Sequence, residues 1–179
     1  MARQKESLNK LFVSLGIARI SVGLVFLWAF LDKLIGLGFS TCRDAATNGI
    51  NVMCDSAALQ GGSSTTGFLK FGTQGPFADF YAGLAGNGFI DLLFMTGLLG
   101  IGVALTFGIA TKLGTISGAV MLMMMWTAVL PPEHHPVLDD HVVYSVLLAA
   151  IYFGDNNQRL GFGKQWKKTA LVKKFPILS

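Results

Sequence analysis

Residues Leu11–Leu31 read LFVSLGIARISVGLVFLWAFL, an apolar run of 21 residues broken by a single charge, Arg19. A bilayer core about 30 Å thick is crossed by about 20 helical residues, so this run is long enough to span. Three further runs follow, at Phe89–Ala110, Leu113–Leu130 and about Val137–Gly154. Only Thr111 and Lys112 separate the second from the third, which suits a tight helical hairpin. The fourth opens on Asp139, Asp140 and His141, so its polar end belongs at an interface or inside protein. The expectation is an all-α integral membrane protein, a four-helix transmembrane bundle forming one domain over 1–179. A long external loop, 32–88, joins its first two helices, and a basic tail, 155–179, follows the last.

Composition agrees. Hydrophobic types make up 52% of the 179 residues and charged types 13%, about half the charged share of an average soluble domain. Mean hydropathy is +0.55. These values exclude a disordered chain, a disulfide-packed miniprotein and, despite a net charge of +4, a nucleic-acid binder.

The few charges set the orientation. Arg3, Lys5 and Lys10 precede the first run, Lys112 lies in the hairpin turn, and Arg159, Lys164, Lys167, Lys168, Lys173 and Lys174 follow the fourth. The opposite side has Lys33, Arg43 and Lys70. By the positive-inside rule both termini are cytoplasmic and the protein is a multi-pass protein of the cell membrane. The tail after Gly161 is expected against anionic headgroups of the lipid bilayer. The first run exceeds a signal-peptide core and lacks a small-x-small cleavage site, so it reads as a retained anchor.

The external loop is rich in Gly, Ser, Thr and Asn and holds Cys42 and Cys54, the two cysteines of the chain. On the outer side a disulfide between them is expected to form and persist, adding about 3 kcal/mol in the chain-entropy picture. It reads either as a staple or as a redox-active dithiol, and the spacing is not C-x-x-C. Residues 76–85 read as an amphipathic helix with Pro76 at its start and Phe77, Phe80, Tyr81 and Leu84 on one face. It lies in the outer interface or folds back as a lid.

Small residues recur where helices would touch: Gly100, Ala104 and Gly108, then Gly114 and Gly118, then Ser145 and Ala149. Close approach at such positions drives helix association in lipid. Their use is a compact bundle or a homo-oligomer interface.

Arg19 stands about 12 Å along the first helix from Leu11, near the midplane, where a charge is costly and must face protein or a cavity. The fourth run offers Asp140, His141 and Tyr144 on one broad face, and Trp28 and Trp126 lie at similar depth. Arg19, Trp28, Lys33, Trp126, Asp140, His141 and Tyr144 could together line an outer-leaflet pocket. The alternatives are a structural Arg19–Asp140 ion pair and an aromatic belt. A quinone site needs carbonyl donors, a protonatable group and flat apolar walls, and these residues are of those types. Glu133, His134 and His135 resemble metal ligands in type, but adjacent histidines diverge and no spaced third ligand follows. No haem or flavin motif is evident either. Asp91, near the start of the second run, suits the positive end of a helix dipole.

The order of several segments resembles the DoxX/DoxD family. These are Arg19–Trp28 (RISVGLVFLW) with Asp32-Lys33-Leu34, then Gly75-Pro76-Phe77, Gly97–Gly102 (GLLGIG) and Pro136–His141 (PVLDDH). The resemblance covers nearly the whole chain except the Cys42–Cys54 insertion and the basic tail. It implies a four-helix membrane protein, in one branch the large subunit of a thiosulfate:quinone oxidoreductase. A soluble or membrane-bound redox partner subunit is implied with it. Carried over residue by residue, it makes Arg19, Lys33, Asp140 and His141 candidate pocket residues, of which Arg19, Asp140 and His141 are the catalytic candidates. From the reading of the residues themselves, Trp28, Lys33, Trp126 and Tyr144 are the cofactor-binding candidates. The alternative is a non-enzymatic membrane anchor or assembly subunit of a larger redox or envelope complex.

Overall fold

A computed structural model describes residues 2–44, 46–154 and 160–178. Arg159, counted above with the basic tail, lies outside these described residues. The elements are α1 (Ala2–Ile35), α2 (Ala78–Ala82), α3 (Gly88–Phe107), α4 (Thr111–Ala128), α5 (Asp140–Gly154), α6 (Gly163–Trp166) and α7 (Ala170–Lys174). The chain is all-helical. Among the described residues the one extended pairing is an isolated bridge between Arg43 and Ile50.

Among the described residues, two helices are long and apolar enough to cross a membrane, Arg3–Ile35 and Gly88–Phe107. The first continues well beyond the expected 11–31 because nothing between Ala2 and Ile35 interrupts it: the stretch holds no proline. It stops at Gly36, whose left-handed backbone (φ 77°) lets its N–H turn back to the Asp32 carbonyl at 2.7 Å, an αL cap. α5 is apolar but has 15 residues, about 22 Å of helix.

The other boundaries shift for local reasons. α3 ends at Phe107, not Ala110, because Gly108 turns left-handed (φ 69°) and the Ile109 N–H reaches the Ala104 carbonyl. That is the six-to-one bond of a Schellman stop. The hairpin turn is therefore Gly108–Ala110, and Thr111 and Lys112 open α4. α5 starts at Asp140, not Val137. His135 Nδ1 accepts from the N–H groups of Val137 and Leu138 at 3.1 and 2.9 Å, which holds both in the turn.

Two compact units emerge from the contacts. One contains Met1–Val25, Gly100–Met123 and Asp140–Ser179. Its core is Val22, Ile101, Leu105, Leu122, Leu148 and Ile151, with Arg19, Thr111 and Thr115 buried among them. Here α1 approaches α3 so closely that a Cβ on Gly23 would strike the Thr106 backbone nitrogen. Gly114 likewise leaves room for the Ala104 methyl. Gly100, expected in the same packing stripe, instead meets open space.

The second unit contains Phe26–Leu99 and Met124–Asp139. Its core includes Phe26, Ala57, Leu69, Leu98 and Ala128, with Asp32, Ser64 and Thr65. The long loop is folded here. A disulfide joins Cys42 to Cys54, with 5.6 Å between their Cα atoms. Asp44 accepts from Thr47 N–H and hydroxyl and from Ala46 N–H, and these bonds hold its carboxyl below the usual carboxylate range. Residues 76–85 do not form one helix: Gly75–Phe77 is a 3-10 turn and α2 ends at Ala82. The segment folds back onto the end of α4. The Tyr81 hydroxyl donates to the Met124 carbonyl at 3.0 Å and meets Thr127 Oγ1 at 2.6 Å. The Gln74 amide donates to the carbonyls of Val129 and Pro131. The Gln74 backbone N–H also donates to the carbonyl of Ala128 at 2.9 Å, the last residue of α4, a group that a helix end leaves without a partner.

Candidate functional site

Arg19 is 2% exposed, the most deeply buried cation described. Its Nη1 donates to the Leu105 carbonyl and its Nη2 to the Leu160 carbonyl at 2.6 Å. Leu105 lies in the last turn of α3, where carbonyls lack intrahelical donors and the dipole is negative, so a cation is favoured there. The guanidinium thus caps α3 and ties the tail to it. Gly108 makes the space: a Cβ there would lie 2.7 Å from Nη1.

Asp32 is the counterpart in the other unit. It is 1% exposed, and its carboxylate accepts from Phe39 N–H at 3.0 Å, Ser40 N–H at 2.9 Å, Ser40 hydroxyl at 2.8 Å and Thr41 N–H at 3.0 Å. A carboxylate with several backbone donors sits comfortably out of water. The turn it organises leads directly into Cys42. Sequence reasoning missed this role, although Asp32 followed by Gly36, Gly38, Ser40 and Thr41 is the composition of a turn wrapped on an acid.

Asp91 stands in the first turn of α3, as its place near the helix start suggested, but its partners come from the loop. Oδ1 accepts from the hydroxyls of Ser63, Ser64 and Thr65 at 3.0, 3.1 and 2.7 Å, and from Thr65 N–H at 2.9 Å. The run Ser63-Ser64-Thr65-Thr66 was the available signal.

Lys33 is half-buried. Its Nζ lies 5.9 Å from the centre of the Phe94 ring, within cation–π range, and the charges of Asp32 and Asp91 act on it. Trp28 packs edge-on against Phe39 at 5.0 Å. The Trp126 indole donates to the Val137 carbonyl at 2.8 Å. Lys33, Trp28 and Trp126 therefore engage three different neighbours.

Asp140, His141 and Tyr144 occupy the first two turns of α5, with Asp140 exposed and the other two half-buried. The Ser145 hydroxyl donates to the His141 carbonyl at 2.7 Å. Arg19 belongs to the same unit but its head group lies toward the far end of α5. A Cβ on Gly154 would touch Leu15, one on Gly16 would touch Leu160, and Leu160 is the residue that holds the guanidinium. Asp140 opens the opposite end, about 21 Å away along the axis. Arg19, Asp140, His141 and Tyr144 fall in one unit and Trp28, Lys33 and Trp126 in the other. Among the described residues, no three His, Cys, Asp or Glu side chains form a metal-ligand group.

Two of the five Arg19 donors are directed at backbone carbonyls, those of Leu105 and Leu160. Lys33 with Phe94 supplies one carbonyl donor and one flat wall, and His141 with Tyr144 supplies a protonatable group beside a phenol. No protein-family model matches this chain, and no curated protein or solved structure matches it.

Proposed function

We propose that the chain is a four-span integral membrane protein with both termini cytoplasmic, serving as the membrane subunit of a quinone-linked oxidoreductase of DoxX/DoxD type. The observation that carries the membrane reading is the outward face of every long helix. Ile17 and Leu24 on α1, Leu92 and Leu93 on α3, Ile116 and Val120 on α4, and Val143, Val146 and Phe153 on α5 are all exposed. Apolar outer faces on four helices support an apolar solvent around them. The distribution of lysine and arginine supports the orientation.

For the chemistry, two separate groups are of types that suit a quinone: Lys33 over Phe94 in one unit, and His141 with Tyr144 on the first turns of α5 in the other. A bound quinone would take up two electrons and two protons. In its own unit Lys33 would orient a quinone carbonyl; His141, in the other, would serve as a group that holds or passes a proton. The test is quinone reduction by the reconstituted protein with thiosulfate or another sulfur donor. Lys33→Met and His141→Ala are each expected to lower the rate by about 10², with helix content unchanged in circular dichroism. Full activity in both variants refutes these assignments.

A second reading is a non-enzymatic anchor or assembly subunit. It is favoured by the use of Arg19 and Asp32, whose charged groups bind backbone atoms and hold the fold together. A companion protein that remains bound through detergent purification, with no quinone reduction, supports it.

A further inference from the structure

Residues 160–178, in the tail beyond α5, are an ordered piece of structure. The Leu160 carbonyl holds Arg19, the Phe162 N–H donates to the Phe107 carbonyl at 2.8 Å, and the Phe162 ring lies 6.3 Å from that of Phe107. Gly163 and Val172 are buried. The Trp166 indole donates to the Leu178 carbonyl at 2.6 Å, closing the tail on itself. Yet this ordered segment leaves Phe162, Leu171, Phe175 and Ile177 exposed, the last at 73%. Lys164, Lys167, Lys168, Lys173 and Lys174 are exposed beside them, and residues 160–178 contain no Asp or Glu.

An ordered surface that keeps four large apolar side chains and five lysines outward suits a boundary that is oily on one side and anionic on the other. Its position agrees. Phe162 is bonded to Phe107, the last residue of α3 and the end of one of the two long apolar helices. A soluble acidic partner would match the lysines but leaves the apolar side chains unexplained.

We propose that residues 160–178 form a binding surface for anionic phospholipid headgroups, with Phe162, Leu171, Phe175 and Ile177 in the headgroup–acyl boundary and the lysines on the phosphates. Because Leu160 is also a partner of Arg19, lipid held by the tail reinforces the cap on α3. The bundle's stability thereby depends on the charge of the surrounding leaflet. This rests on the membrane reading above, and goes beyond the expectation of a basic tail near anionic headgroups by naming the apolar side chains that enter the boundary and the buried residue, Arg19, to which the surface is coupled.

The experiment reconstitutes the full chain in lipid nanodiscs of phosphatidylcholine alone or with phosphatidylglycerol. Quenching by brominated lipids is read as the difference between the protein and its Trp166→Phe variant, which isolates Trp166. Quenching is expected to be about twofold greater with phosphatidylglycerol, and to lose that excess in molar salt. The thermal midpoint is expected to rise with phosphatidylglycerol. Both lipid effects should vanish when Lys167, Lys168, Lys173 and Lys174 are all changed to Gln, substitutions that leave Val172 and Trp166 in place. Equal quenching in the two lipids at low salt overturns the proposal. So does quenching by aqueous iodide with none by lipid bromines, which would assign the tail to a soluble partner. A chain that fails to enter the discs overturns the membrane reading itself, an outcome distinct from insertion with an indifferent tail.

Discussion

A buried carboxylate shows how much one side chain can organise. Asp32 holds three consecutive backbone N–H groups and a hydroxyl between Phe39 and Thr41. Removing it strands those amides where water is scarce. Asp32→Ala is expected to cost about 3 kcal/mol, on the order of 1 kcal/mol for each stranded amide. Loop 36–57 should then be cut faster by protease while helix content stays constant. Unchanged cleavage would mean that the disulfide alone holds the loop. Arg19 works in the opposite sense, a cation placed on carbonyls. A lysine has no planar fork with which to hold two carbonyls, so Arg19→Lys should lower stability by about 2 kcal/mol, read from denaturant titration in micelles.

Helices and their connections obey rules that are partly written in local sequence. Gly36 and Gly108 end α1 and α3 through left-handed caps, and glycine is the residue that adopts that conformation without strain. The end of α4 follows a different logic: its Ala128 carbonyl takes the Gln74 N–H and its Met124 carbonyl the Tyr81 hydroxyl, both from more than forty residues earlier in the chain. Tyr81→Phe deletes the hydroxyl and keeps the ring. It is expected to cost about 1 kcal/mol and to speed chymotrypsin cleavage between Phe71 and Phe80. Unaltered cleavage would show that Gln74 suffices. The amphipathic helix expected over 76–85 is shortened for the same reason. Tyr81 turns inward to α4 while Phe77 and Phe80 remain exposed.

At the scale of the whole molecule, the proposed topology makes a direct prediction. A phosphatase reporter that is active only outside the cytoplasm should be inactive when fused after Leu178 and active when inserted near Asn48. The reverse pattern would invert the orientation. The helical class was legible in the sequence because apolar run length is a local property: Leu11–Leu31 and Phe89–Phe107 would form apolar helices in almost any context. The pairing of Cys42 with Cys54 was legible too, since the chain has no other cysteine. The partners of the buried charges were not. Arg19 takes carbonyls 86 and 141 positions away, and Asp91 takes hydroxyls 26 to 28 positions away. Every residue offers a carbonyl, so nothing in the chain marks which ones a guanidinium will find. That choice falls to packing, where Gly23, Gly108 and Gly114 let backbones approach closely enough to bring one helix end to another helix's charge.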